Sequence, residues 1–254
     1  MIEAVLFDLS GVLYIDDVAL PGALESIEKL YKSDMPIRYV TNTTRTSRKS
    51  ILKKLEDMGF NIPAEDLFTA PIATHTYLSI NNLSPYLLVH PNLEQDFADL
   101  ISDEPNAVVL GDAAQAFSYD NMNDAFRLLI EGAPLIAMGK NQYFREDGEL
   151  SLDMGPFVAA LEYAANTEAV VIGKPSKTFF ETAANGLDCR LENVVMVGDD
   201  IKSDVIGSLD SGLQGVLVKT GKYQAKDELQ LQGRGICVEN ISAAADWILS
   251  QINK

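Results

Sequence analysis

Ala4, Val5, Leu6 and Phe7 make a wholly apolar run that ends on Asp8, with Ser10 and Gly11 close behind. A run of this kind is a strand buried on both faces, as strands of parallel sheets are, and it delivers a carboxylate where the backbone must turn. Open parallel sheets bind ligands at such carboxyl ends. The pattern recurs. Residues 37–40 run into Thr41, Asn42, Thr43 and Thr44, residues 169–172 into Gly173, Lys174 and Pro175, and residues 194–197 into Gly198, Asp199 and Asp200. Between the strands, apolar positions return at helical spacing: Leu24, Ile27, Leu30 and Tyr31 over 21–31, then Ile51, Leu52, Leu55 and Met58 over 47–59, closed by Gly59. Residues 178–186, 201–209 and 243–252 read as helices, and 215–218 and 236–238 as strands. Strand–helix alternation predicts an α/β fold with a doubly wound, Rossmann-like parallel sheet.

After a short strand at Leu67 and Phe68 and a helix over 71–80, Asn81, Asn82, Ser84 and Pro85 have the composition of a linker. A new alternation follows, with strands at 86–89, 107–110 and 135–138 and helices at 93–101, 122–130 and 157–165. Residues 144–150, centred on Asp147-Gly148, read as a hairpin. The expected organisation is a core domain of residues 1–80 and 169–254 with an inserted α/β domain of residues 81–168. A chain of 254 residues that is 47% hydrophobic can bury cores of that size.

The net charge of −17 opposes a general affinity for nucleic acid or anionic membrane. Cys189 and Cys237 have no CxxC spacing, which supports neither a disulfide framework nor a zinc site and leaves two ordinary, partly buried thiols. No apolar run reaches the roughly 18 residues of a membrane span. Met1 leads straight into the first strand without a basic or apolar leader, so a cytoplasmic location is expected.

Four strand ends carry the chemistry: Asp8, Thr41, Lys174, and Asp199 with Asp204. Each has a structural reading of its own. Asp8, Asp199 and Asp200 suit turns, Thr41 and Asn42 suit a helix N-cap, Lys174 suits a solvated loop, and Asp204 suits the first turn of a helix. Together they are what phosphoryl transfer requires. Asp8 would serve as nucleophile and ligand of a hard divalent cation, Asp199 as a second ligand, and Asp204 as the carboxylate orienting a water on that cation. The Thr41 hydroxyl and the following backbone N–H groups, at Asn42 and Thr43, would hold phosphate oxygens. Lys174 would offset the repulsion between an anionic ester and the Asp8 carboxylate.

The segments DLSGVL, TNTTR, GKP and GDDIKSDV, in this order and separation, resemble the four motifs of the haloacid dehalogenase-like hydrolases. The region between the second and third motifs, extending through FSYDNMNDAFRLLIEGAPLIAMGKNQYF and DMGPFVAALEYAA, is similar to the subgroup with a large α/β cap, which includes the NagD-type nucleotide phosphatases and pyridoxal phosphate phosphatases. The resemblance covers the whole chain. It implies a phosphoaspartyl intermediate on Asp8, Mg2+ held by Asp8, the Ser10 carbonyl and Asp199, a small phosphorylated metabolite as substrate, and a homodimer through the cap. A dehalogenase would share the nucleophile without needing the GDDIKSDV metal motif, and a membrane ATPase would need spans.

Position 10 departs from the family pattern Asp-x-Asp, because it is Ser. The missing carboxyl normally protonates the leaving oxygen and then deprotonates the attacking water, a contribution of about 10²–10⁴. Two outcomes are expected: a preference for leaving groups that need little acid help, such as phosphoramidates, acyl or aryl phosphates and pyrophosphate, or slow turnover of the intermediate. The rival from another class is a weakly active or non-catalytic phosphate-binding or regulatory protein. Elsewhere, His75 and His90 read as packing or surface residues and Trp247 as core. Arg45, Asp112, Tyr119, Lys140 and Arg145 are candidates for a substrate-facing surface or a solvated one.

Overall fold

The computed structural model describes residues 1–146 and 149–252, with the backbone alone at 145 and 146; the Asp147-Gly148 turn lies outside the described residues. Elements form where apolar spacing places them. Strand β1 (Ala4–Asp8) is buried throughout and leads through a small hairpin, β2 (Tyr14–Ile15) and β3 (Val18–Ala19), to helix α1 (Ala23–Tyr31). Strand β4 (Ile37–Thr41) precedes α2 (Arg48–Asp57), which buries Ile51 and Leu55. That helix stops at Gly59, where φ is 94°, and the Phe60 N–H donates back to the Leu55 carbonyl at 2.9 Å. Strand β5 (Leu67–Thr69) runs into α3 (Ala70–Ile80), whose Ile72 N–H donates to the Thr69 hydroxyl at 3.2 Å.

Beyond α3 come β6 (Pro85–Leu88), β7 (Ala107–Leu110), α4 (Tyr119–Ile130) and β8 (Leu135–Ala137), then the antiparallel pair β9 (Tyr143–Glu146) and β10 (Glu149–Leu152), α5 (Gly155–Ala165) and β11 (Val170–Val171). The chain finishes with α6 (Lys177–Ala184), β12 (Val194–Gly198), α7 (Gly207–Asp210), β13 (Gln214–Val218), β14 (Ile236–Val238) and α8 (Ile241–Gln251). These elements form two compact units. One comprises Met1–Thr41, Arg48–Phe68 and the chain from Lys174 onward, and the other comprises Asn42–Ser47 and Thr69–Gly173.

The first unit is built on a six-stranded sheet of order β14-β13-β12-β1-β4-β5, in which β14, β13, β12, β1 and β4 run parallel. The chain winds outward from β1 through β4 to β5, returns at β12, and winds the other way through β13 to β14. Winding therefore reverses between β1 and β12, the switch point at which open sheets leave a crevice. Alternate residues divide between two cores. Val216 and Val218 join Phe7, Tyr39, Val197 and the inward faces of α1 and α8, while Leu217 joins Ile201, Val205 and Leu231. Each fully buried Leu or Phe contributes roughly 1.5–3 kcal/mol. Trp247 is half-buried against the first of these cores.

The second unit has a four-stranded parallel sheet of order β11-β8-β7-β6, in unbroken chain order. Leu88, Leu110, Leu135 and Ala137 pack with Ala125 and Leu129 of α4 and with Val158 and Leu161 of α5. The Phe117 and Phe157 rings stack with centroids 3.8 Å apart.

Three segments depart from the expected elements. In place of a helix over 93–101, tight 3₁₀ turns span Pro91–Phe97, started by His90, whose Nδ1 accepts the Asn92 N–H. Leu93 and Phe97 are both buried, which mimics helical spacing over a single turn. Helix α4 starts before residue 122 because the Ser118 hydroxyl caps its first turn at the Asn121 N–H. Residues Ile201–Ile206 form a wide π turn and only α7 after them is α-helical. Among the described residues no helix is long and apolar enough to cross a membrane.

Candidate active site

The switch point gathers the charged strand ends of the first unit. Asp8 is the last residue of β1, opposite Val40 of β4, and Asp199 follows directly on β12. Asp204 sits in the π turn, its Oδ2 accepting the Asp200 N–H at 3.2 Å, while Asp200 Oδ1 accepts the N–H groups of Lys202 and Ser203 at 3.0 Å each. Lys174 Nζ lies 2.5 Å from Asp8 Oδ1 and 2.7 Å from Asp204 Oδ1. All four side chains are buried, with Asp204 only 1% exposed and Asp199 3%. The residues singled out as nucleophile, counter-charge and metal ligand thus share one small volume.

That volume holds more negative than positive charge. Carboxylate oxygens of Asp8, Asp199 and Asp204 lie within 4.8 Å of one another, with the Lys174 ammonium inside the cluster. Burial pushes Asp8 above the ordinary carboxylate value, against the pull of Lys174, and the neighbouring Asp199 charge adds to the rise. Burial likewise pushes Asp199 up to about 6 and raises Asp204, while the two carboxylates hold Lys174 firmly protonated despite its own burial. Three converging carboxylates with one fixed cation form an oxygen-only donor set short of positive charge, which fits a hard divalent ion such as Mg2+.

Thr41 ends β4 one residue beyond the partner of Asp8. Asn42 and Thr43 follow in the loop that groups with the second unit. The Ser10 side chain is exposed, and its backbone bridges to Tyr14. Several other candidates have structural partners in the second unit. Arg45 Nε donates to Asp112 Oδ2 at 2.5 Å and the guanidinium lies 4.4 Å over the Phe144 ring; Lys140 pairs with Glu162 at 2.7 Å; His75 Nε2 lies 3.0 Å from Asp99. Tyr119 is 82% exposed, and the Arg145 side chain lies outside those described. Cys189 and Cys237 are free and half-buried.

One group of site residues escapes motif reading. The loop Thr220-Gly221-Lys222 follows β13, the strand next to β12. Its Lys222 N–H donates to Asp199 Oδ2 at 2.7 Å, its Thr220 hydroxyl donates to the Gly11 carbonyl, and Lys222 Nζ lies 3.2 Å from Asp200 Oδ2. The signal was present in the sequence: a buried apolar strand running into Lys219, Thr220 and Gly221 is one more strand end with a polar tip.

Known proteins are similar to this chain in sequence and in fold. Residues 5–100 match a family model described as haloacid dehalogenase-like hydrolase, and residues 171–244 match one described as HAD-hydrolase-like. The haloacid dehalogenase-like hydrolase domain-containing protein 2 of Rattus norvegicus is 44% identical over 253 residues, 99% of this chain and 98% of that protein. The phospholysine phosphohistidine inorganic pyrophosphate phosphatase of Danio rerio is 40% identical over 256 residues, covering 98% and 95%. Among solved structures, the 4-nitrophenylphosphatase of Thermotoga maritima matches with a TM-score of 0.88 at 25% identity, over 97% of each chain. NagD of E. coli K-12 has the same fold, with a TM-score of 0.84 at 23% identity over 95% of this chain and 97% of that one. With relatives this similar along nearly its whole length, the chain belongs to the haloacid dehalogenase-like hydrolases and has the fold of their NagD-type members.

Proposed function

We propose that this protein is a Mg2+-dependent phosphatase of small phosphorylated molecules working through a phosphoaspartyl intermediate on Asp8. The observation that carries the reading is Lys174, buried and within 2.7 Å of both Asp8 and Asp204, at the sheet's switch point. In the first step an Asp8 oxygen bonds to phosphorus as the bond to the leaving group breaks, and the departing atom takes up a proton. In the second, water attacks phosphorus, loses a proton, and the bond to Asp8 breaks to release orthophosphate. Lys174 pulls Asp8 toward its ionised form against the rise its burial imposes and lowers the repulsion an anionic substrate meets. Bound at Asp8, Asp199 and the Ser10 carbonyl, Mg2+ would supply charge neutralisation for the phosphate oxygens. The Thr41 hydroxyl holds those oxygens, and Asp204, fixed by Lys174 and the Asp200 N–H, orients the water.

Ser10 shapes the substrate. A hydroxyl there is a poor acid, so the preferred leaving groups are those that depart as weak bases or already carry a proton: phosphoramidates, acyl and aryl phosphates, pyrophosphate. The name of the Danio rerio relative, with its P–N and P–O–P substrates, supports that class. In this reading residues 81–168 are a cap domain through which two copies pair, and the protein works in the cytoplasm. The test is phosphate release from p-nitrophenyl phosphate, expected with Mg2+ and absent without it or in Asp8→Asn. Binding of Mg2+ and orthophosphate without any release would instead establish a non-catalytic phosphate-binding protein. Ser10→Asp should raise turnover of an alkyl phosphate more than that of an aryl phosphate; equal gains would sink the leaving-group preference.

A further inference from the structure

The loop after β13 makes three separate contacts with the loops after β1 and β12, two of them at the Asp199 carboxylate and the third at the Gly11 carbonyl. The Lys222 N–H donates to Asp199 Oδ2 at 2.7 Å. The Thr220 hydroxyl donates to the Gly11 carbonyl, next to Ser10. Gly221, at φ +57°, packs so closely that a Cβ there would strike Asp199 Oδ2 and come within 2.7 Å of the Gly11 Cα; a Cβ on Gly11, at φ +85°, would strike the same carboxylate. Two glycines therefore leave room for one carboxylate between two loops, and a backbone N–H fixes its rotation.

We propose that Thr220-Gly221-Lys222 is the positioning element of the cation site: it sets the angle of the Asp199 carboxylate and seats the Ser10–Gly11 backbone so that both present oxygen to a divalent cation. Groups that orient ligands in this way typically change metal affinity by about 10–100-fold when removed. The contact to Asp199 comes from the main chain, so the identity of residue 222 is secondary. Its ammonium faces Asp200 on the exposed side, and removing that charge should leave cation binding intact or tighten it modestly by lowering local repulsion.

The inference rests on the reading of Asp8, Asp199 and Ser10 as a Mg2+ site, and calorimetric titration of the full-length protein with Mg2+ alone separates the two. Wild type that binds no Mg2+ overturns the site itself. If wild type binds, Gly221→Ala and Thr220→Val should bind about 10–100-fold and several-fold more weakly, respectively, with Lys222→Met at wild-type affinity or tighter. Melting of each variant without Mg2+ reports folding, and Thr220→Val decides the matter should Gly221→Ala fail to fold. Wild-type Mg2+ affinity in folded Gly221→Ala or Thr220→Val, or a loss in Lys222→Met as large as theirs, overturns the positioning role.

Discussion

The two units use the same kind of sheet and differ in how the chain winds through it. In the second, β6, β7, β8 and β11 follow one another in chain order, so no point of reversal opens. Its buried Asp112 is paired with Arg45 and accepts the Ala114 N–H at 3.1 Å, and its buried Asp153 accepts the Met154 N–H at 2.7 Å, the two carboxylates lying apart from any third among the described residues. In the first, winding reverses between β1 and β12, and the strand ends there carry three buried carboxylates for one buried lysine. Parallel α/β architecture alone does not make a catalytic site. The reversal supplies the place, and the unmatched charge gives that place something to bind.

The contrast can be broken, starting with its largest consequence. Lys174→Met removes the one buried counter-charge and should cost about 3–5 kcal/mol of stability together with phosphate release, a loss that Mg2+ partly restores; urea unfolding with and without Mg2+ measures it, and unchanged stability would mean the cluster is not held by charge. Leu110→Ala opens the second unit's core, at about 2–5 kcal/mol, yet Mg2+ affinity by calorimetry should not move. Asp112→Asn weakens a matched pair, at about 1–3 kcal/mol, again with Mg2+ affinity unchanged; a weakened Mg2+ site in either variant would erase the division of labour.

The smallest effect concerns pH. Burial alone would raise Glu162, but Lys140 and the Ala169 N–H outweigh it and lower it from 4.5. A carboxylate lowered in the folded state contributes stability that is present above its unfolded value and lost as pH falls through its folded one. Unfolding midpoints of wild type should therefore drop on the acid side of pH 4.5 more steeply than those of Glu162→Gln; parallel curves would show that this pair contributes nothing.

Much of this was legible in the sequence because burial on both faces leaves strands such as β1, β12 and β13 almost purely apolar, and a charged residue at their ends stands out. Asp8, Lys174 and Asp199 stand out that way, and the fold brings them together with Asp204. Other features were hidden for physical reasons. Strands β2 and β3 are two residues each, too short for an alternating pattern. The π turn at Ile201–Ile206 keeps a helical spacing of Ile201 and Val205 while its backbone follows the cap at Asp200 and the tie between Asp204 and the Asp200 N–H. The Thr220-Gly221-Lys222 loop acts on Asp199 mainly through main-chain atoms and close packing, which leave little trace in side-chain chemistry.

In the proposed function Asp8, at the switch point, is the nucleophile that takes the phosphoryl group. Rapid acid quench of the wild-type enzyme turning over p-nitrophenyl phosphate with Mg2+, followed by peptide mass spectrometry, tests it most directly. A phosphoryl group on the peptide bearing Asp8, absent in Asp8→Asn, is the result the proposed function predicts; phosphate release with that peptide never modified, or modified at another residue, would contradict it.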